Sequence, residues 1–243
     1  MNFNKILFLA HSNPTEYVFE DTRNYLKRFH DVEIKSVFEH SNLAPFPKSV
    51  KEINLSYMAK FGPLYESPFF NAMLDAEKSG YGAAVVASWG DPAIGRAVKE
   101  LKFPVVGLAW ANYKKASELY GKFSILHTHL PELMDFNKMQ VEMYGFQGNL
   151  VSSEHLDLDV YEWLNKKTKP DYQFLAENTL PIVEKCAEKG AKSLLIACGS
   201  PELSEFAQVL DNEVKNKFGI RVLTPLDTMI ETARERIKNN PVS

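Results

Sequence analysis

The stretch Ala83–Ala111, AAVVASWGDPAIGRAVKELKFPVVGLAWA, constrains the fold of this chain more than any other. An apolar, partly β-branched run (Ala83–Ala87) ends in Ser88 and a Trp89-Gly90-Asp91-Pro92 turn. A helix-like segment follows, then a second buried-strand run, Phe103–Ala109. Strand, tight turn, helix with Pro near its first turn, and strand again are the signature of a βαβ unit. Open α/β sheets bind ligands at the carboxyl ends of their strands. Ser88 holds that place, and Asp91 before Pro92 reads as the cap of the helix that follows.

The same alternation runs through the rest of the chain. Lys5–Ala10 reads as a strand, Thr15–Phe29 as a helix and Val32–Phe38 as a strand. Residues 41–68 carry Pro45, Pro47, Gly62-Pro63 and Pro68 and read as an irregular functional loop or lid. A short helix is expected there at Val50–Ala59, and another beyond it at Phe69–Ser79. Ala111–Tyr120, Glu132–Tyr144, Asp157–Lys167, Asp171–Glu188, Pro201–Phe218 and Pro225–Lys238 read as helices. Lys122–His127, Gln147–Ser152, Ser193–Ala197 and Ile220–Leu223 read as strands between them. This order predicts parallel sheets covered by helices.

Two halves of the chain repeat one another. A strand runs into His11-Ser12-Asn13-Pro14, and a later one into Ala87-Ser88-Trp89-Gly90-Asp91-Pro92. In the second half a strand runs into His127-Thr128-His129-Leu130-Pro131, and a later one into Ala197-Cys198-Gly199-Ser200-Pro201. Two matches in one order at similar spacing predict two pseudo-symmetric lobes, residues 1–112 plus 224–243 and residues 113–223. The strand ends would then face an interlobe cleft, with Ser88 and Cys198 on opposite sides of one ligand.

Composition narrows the function classes. A net charge of −3 gives no reason to expect a nucleic-acid or membrane partner. The apolar run Ile6–Ala10 is too short for a signal peptide, and no stretch reaches the ~20 apolar residues of a membrane span. The two cysteines, Cys186 and Cys198, make no disulfide framework and no zinc spacing, so a cytoplasmic setting and no metal are expected.

At these residues the chain resembles the aspartate/glutamate/hydantoin racemase superfamily, nearest its hydantoin and allantoin racemase branch. Asn13-Pro14, Gly62-Pro63, Gly90-Asp91-Pro92-Ala93-Ile94, Pro104-Val105-Val106-Gly107, Phe123-Ser124, Ala197-Cys198-Gly199 and Thr224-Pro225-Leu226 carry the likeness. The resemblance implies two Rossmann-like lobes, a cleft active site, homo-oligomers and proton chemistry at carbon without a cofactor. The substrate would be a small carboxylate, an amino acid or a hydantoin. The pattern also breaks: Ser88 stands where the first thiol of the racemases falls, Trp110-Ala111-Asn112 replaces Glu-Ala-Ala, and His127-Thr128 replaces Thr-Thr.

Inverting a carbon beside a carbonyl needs one acid/base group on each face. Cys198 is the main candidate, its thiol pKa expected to fall at a helix N-terminus so that it alkylates quickly at neutral pH. Ser88 is the weaker partner and needs a neighbouring histidine to activate it. Gly199 and Ser200 offer backbone N–H groups to an enolate oxygen. Asn13 and Thr128 suit a carboxylate or amide, Trp89 and Gly90 flank Ser88, and His127 is placed as a substrate or relay contact. His11 and His129 stay open between structural and relay roles, and Cys186 reads as core. Three functions remain: a racemase or epimerase, a decarboxylase using Cys198 alone (as in arylmalonate decarboxylase), and a non-catalytic carboxylate binder.

Overall fold

The structure is a computed structural model, described here for residues 4–10, 12, 16–37, 55–128 and 134–239. His11, Asn13, His129 and the proline-rich residues 41–54 lie outside that set. The chain divides into two compact units. The first holds the described residues of Met1–Phe46, Tyr57–Ala111 and Met229–Ser243, and the second those of Pro47–Ser56 and Asn112–Thr228.

The first unit begins with β1 (Ile6–Ala10), α1 (Tyr17–Leu26), β2 (Val32–Ser36) and α2 (Leu55–Lys78). It continues with β3 (Ala83–Val86), α3 (Ile94–Glu100), β4 (Val105–Gly107) and the start of α4 (Leu108–Tyr120). Its strands form a parallel sheet in the order β2-β1-β3-β4. Side chains alternate across a strand, so both faces must be apolar when helices cover both. All five residues of β1 are buried. Leu7, Leu9, Ala84, Val86 and Val105 pack with Phe69, Phe70, Met73 and Ala76 of α2 and with Ile94 and Ala97 of α3.

The second unit repeats the plan with β5 (Phe123–His127), α5 (Met134–Met143), β6 (Leu150–His155), α6 (Val160–Lys166) and α7 (Tyr172–Glu188). β7 (Ser193–Ile196), α8 (Pro201–Phe218), β8 (Arg221–Leu223) and α9 (Pro225–Asn239) complete the chain, α9 running on into the first unit. The sheet is again parallel, in the order β6-β5-β7-β8. Asp171 caps α7 by accepting from Phe174 N–H at 3.0 Å, and α8 stops at Gly219, whose φ of 63° suits glycine. Cys186 is fully buried, 3.8 Å from Ser152 Oγ, as the core reading expected. Among the described residues no helix is long and apolar enough to cross a membrane.

Two local expectations are corrected. Residues 55–68 are not irregular: one continuous helix, α2, runs from Leu55 to Lys78 through Pro63 and Pro68. Proline lowers helix propensity, but burial of an apolar face such as Phe69, Phe70 and Met73 outweighs a local penalty. The second run of the opening stretch is strand only at Val105–Gly107, and Leu108–Trp110 already belong to α4.

Arg234 of α9 grips Asp31, before β2, with two nitrogens, Nε at 2.8 Å from Oδ2. The guanidinium holds the Asp31 carboxyl below the usual carboxylate range. A carboxyl with a depressed folded-state pKa stabilises above its unfolded value and loses that contribution as pH falls through the folded one. Asp31→Asn therefore costs about 1 kcal/mol at neutral pH. Urea unfolding of the two proteins should converge as the medium is taken below the carboxylate range.

Candidate active site

β3 and β1 run in register to Leu9 opposite Val86, and the Ala87 N–H donates to the Leu9 carbonyl at 3.2 Å. The next residue is Ser88, half-buried at the carboxyl edge of the sheet. A tight turn holds it there, the Asp91 N–H donating to the Ser88 carbonyl at 3.0 Å. Trp89 is buried beside it and Gly90 is exposed. Asp91 and Ala93 carry φ values of 48° and 63°, a left-handed conformation that non-glycine residues adopt at a cost.

The cost at Asp91 is offset by hydrogen bonds. Its buried carboxylate accepts from Ala109 N–H at 3.0 Å and Trp110 N–H at 2.9 Å, in the first turn of α4. An anion at a helix N-terminus meets unsatisfied N–H groups and the positive end of the dipole. Asp91 therefore caps α4 and not α3, whose own cap position, Ala93, makes no side-chain bond. Gly107 makes room for this carboxylate: a Cβ there would lie 2.4 Å from Asp91 Cγ. The Gly90-Asp91-Pro92 and Val105-Val106-Gly107 segments thus meet at one carboxylate.

The second sheet repeats the geometry. Leu126 lies opposite Ile196, and the Ala197 N–H donates to the Leu126 carbonyl at 2.8 Å. Cys198 follows, half-buried, its N–H turned back onto the Ile196 carbonyl at 2.9 Å. Ser200 caps α8, its Oγ accepting from Leu203 N–H at 3.3 Å, with Pro201 in the first turn. Counting on along both strands brings Thr128 level with Cys198. Thr128 is buried, and its Oγ1 meets no hydrogen-bond partner among the described residues.

The thiol departs from expectation. Burial pushes the Cys198 pKa up; the Ser200 N–H and hydroxyl pull it back, Glu202 pushes it up again, and the Gly199 N–H lowers it. The net direction is upward, because desolvation outweighs the helix end. Glu202, buried in the first turn of α8, was hidden in the sequence by resembling an ordinary acidic helix start. The proton therefore sits on Cys198 at neutral pH. Alkylation by iodoacetamide should be slow at pH 7 and climb about tenfold per pH unit towards the thiol's raised pKa. Peptide mass spectrometry separates Cys198 from the buried Cys186.

His127 ends β5 on the same face as Phe123 and Ile125, by strand alternation. It is fully buried, its ring 5.5 Å from that of His155 on the neighbouring strand. On that face Phe123 stacks with Tyr113 of α4 at 5.7 Å, and Tyr113 bonds to Gln140 of α5. The register also shifts the repeat by one residue. Ile6 pairs with Ala83 as Phe123 pairs with Ser193, so the counterpart of His127 is Ala10 rather than His11. Ser88 and Cys198 share one level of the two sheets, each following the alanine that bonds back to the leucine of the central strand.

Among the described residues no group of three or more His, Cys, Asp or Glu is placed to hold a metal ion. A family model described as Asp/Glu/Hydantoin racemase matches residues 11–233. A hydantoin racemase from Pseudomonas sp. (strain NS671) is 29% identical over 138 residues, 57% of this chain and 53% of that protein. The match thus spans about half the length of that curated relative. Allantoin racemase from Klebsiella pneumoniae superposes with a TM-score of 0.70 at 17% identity, covering 97% of this chain and 88% of the other. Unliganded arylmalonate decarboxylase gives 0.59 at 9% identity, with coverage of 96% and 92%. At these identities the superpositions show a common α/β fold.

Proposed function

The chain belongs to the Asp/Glu/hydantoin racemase family, and we propose that it is an isomerase that moves a proton at a carbon beside a carbonyl or carboxylate, without a cofactor. The observation that carries this reading is the equivalence of Ser88 and Cys198, each one residue past the same backbone bond in two copies of one sheet.

Cys198 is the principal acid/base. With its proton in place at neutral pH it delivers S–H to one face of a planar enolate, and the Gly199 and Ser200 N–H groups stabilise the thiolate left behind. Ser88 serves the opposite face as the weaker partner: in its alkoxide form it takes the proton from carbon as the enolate forms. Once Cys198 has delivered its own proton, the proton on Ser88 returns through water to the Cys198 thiolate. Thr128, with a buried hydroxyl that meets no acceptor or donor among the described residues, supplies a hydrogen bond to a substrate oxygen, with Asn13 as a second donor. Trp89 and Gly90 border the reacting carbon on the Ser88 side, and His127 supports the Thr128 segment from within the strand. A 5-substituted hydantoin presents the required chemistry, a C–H acidified by a neighbouring carbonyl and a ring that hydrogen-bonds along its edge.

A second reading has a specific observation in its favour. A serine at 88 and a protonated thiol at 198 suit a decarboxylase, in which the carbon–carbon bond to a carboxylate breaks, CO2 leaves, and the carbanion takes the Cys198 proton. Water then reprotonates the thiolate.

Incubation of single-enantiomer 5-substituted hydantoins, amino acids and arylmalonates in D2O separates the readings. Loss of optical rotation with one deuterium entering at the stereocentre is the expected result. Release of CO2 from a malonate without racemisation of the hydantoins would move the assignment to the lyase. No exchange and no CO2, with ligand-induced thermal stabilisation intact, would leave the chain a binder and overturn the isomerase reading.

A further inference from the structure

The amino edge of the first sheet, away from the edge that carries Ser88, holds a cavity of about 330 Å³. It is lined by Val98 and Leu101 at the end of α3, Phe103, Pro104 and Val105 entering β4, Lys102, and Arg236 and Asn239 of α9. Its volume falls at the low end of small-molecule sites, and its walls mix apolar side chains with Lys102, Arg236 and Asn239.

Arg236 is the unusual member. The other arginines with perturbed titration, Arg96 and Arg221, are raised by the carboxylates of Glu100 and Asp211. Arg234, two residues earlier on the same helix, is clasped by Asp31. Arg236 is half-buried, and burial alone acts on it, lowering its pKa. No carboxylate among the described residues answers its charge. The guanidinium lies over the Trp110 ring at 4.3 Å, and Trp110 is itself held through its N–H by Asp91. Arg236 is therefore oriented in advance, its planar fork supported on an aromatic face.

The rim narrows the ligand further. The backbone N–H groups of Lys102 and Phe103 both donate to Glu77 Oε1, so they are not offered to a phosphate. What remains is the guanidinium, the Lys102 ammonium, the Asn239 amide and the apolar side chains between them. A guanidinium pairs with a carboxylate in a two-point bond, and the apolar side chains beside it suit a small apolar body behind that carboxylate.

We propose that this cavity binds a small carboxylate with an apolar body, Arg236 taking the carboxylate and Val98, Leu101, Phe103 and Val105 enclosing the rest. The site lies at the other edge of the first sheet from Ser88 and does not depend on the isomerase reading.

Isothermal titration with benzoate and hexanoate, against benzyl alcohol, hexan-1-ol and inorganic phosphate, tests it on the full chain. Benzoate or hexanoate should bind once per chain and better than its alcohol or phosphate. Arg236→Met should weaken binding about tenfold or more, the loss of a charge-assisted bond. Val98→Trp, at a position 57% exposed and so harmless to folding, should block the cavity. Cys198→Ser should leave this binding intact. Absence of binding by the native chain, equal affinity for the alcohols, or undiminished binding by Arg236→Met or Val98→Trp overturns the proposal. So does loss of binding in Cys198→Ser with retention in Arg236→Met, which would place the carboxylate at the Cys198 edge.

Discussion

Cys198→Ala should reduce turnover by about 10²- to 10⁴-fold, the range that a positioned acid/base contributes, with little change in KM. The side chain is half-buried and small, so its truncation leaves the fold intact and circular dichroism and melting should match the native chain. Cys198→Ser keeps the shape but not the acidity and should be nearly as slow, because a hydroxyl surrenders its proton far less readily than a thiol. Ser88→Cys supplies the complementary result. Placing a second thiol at the equivalent level of the other sheet should raise racemisation in the native Cys198 background and do nothing in the Cys198→Ala background. If Cys198→Ala turns over at the native rate, the proton comes from elsewhere and the assignment of Cys198 fails.

Gly107→Ala should be the most damaging single methyl in the first unit. The new Cβ would lie 2.4 Å from Asp91 Cγ and 2.5 Å from both carboxylate oxygens, well inside contact distance. Either the strand shifts or the carboxylate withdraws from the Ala109 and Trp110 N–H groups. Overpacking and loss of charge-assisted bonds each cost roughly 1–3 kcal/mol, so a loss of about 3 kcal/mol is expected. In a chain of this size that lowers the melting temperature by about 6–12 °C. A double-mutant cycle identifies the cause: in an Asp91→Ala background the clash is gone, and Gly107→Ala should then cost much less. Strictly additive effects, or an unchanged melting temperature, would show that the carboxylate does not need this space.

Much of the architecture was legible in residue order. Apolar runs such as Ile6–Ala10 and Ser193–Ile196, separated by helix-length segments, specify parallel strands under helices, because a strand buried on both faces cannot alternate. Small polar residues directly after such runs marked Ser88 and Cys198. The Phe69–Ser79 part of α2 is legible in the sequence, but its continuity back to Leu55 is not. Gly62, Pro63 and Pro68 are local breaking signals, whereas the apolar face that stabilises the helix is satisfied only by the distant Leu7, Ala84 and Val105. The repeat is legible in the sequence but its phase is not: two histidines, His11 and His127, suggest one alignment, whereas strand register aligns Ala10 with His127.

The opening stretch shows where the two sources of information part. By itself the sequence determined that a strand ends at Ser88, that a turn follows, and that an acid stands in that turn, since these depend on neighbours along the chain. Tertiary structure alone decided which helix the acid serves. Asp91 reads as the cap of the segment it precedes, yet it closes the N-terminus of α4, because β4 brings Ala109 and Trp110 to it and Gly107 leaves the room. The protonation state of Cys198 was decided in the same way. A helix start favours the thiolate, but burial and Glu202 act through space and hold the proton on sulfur.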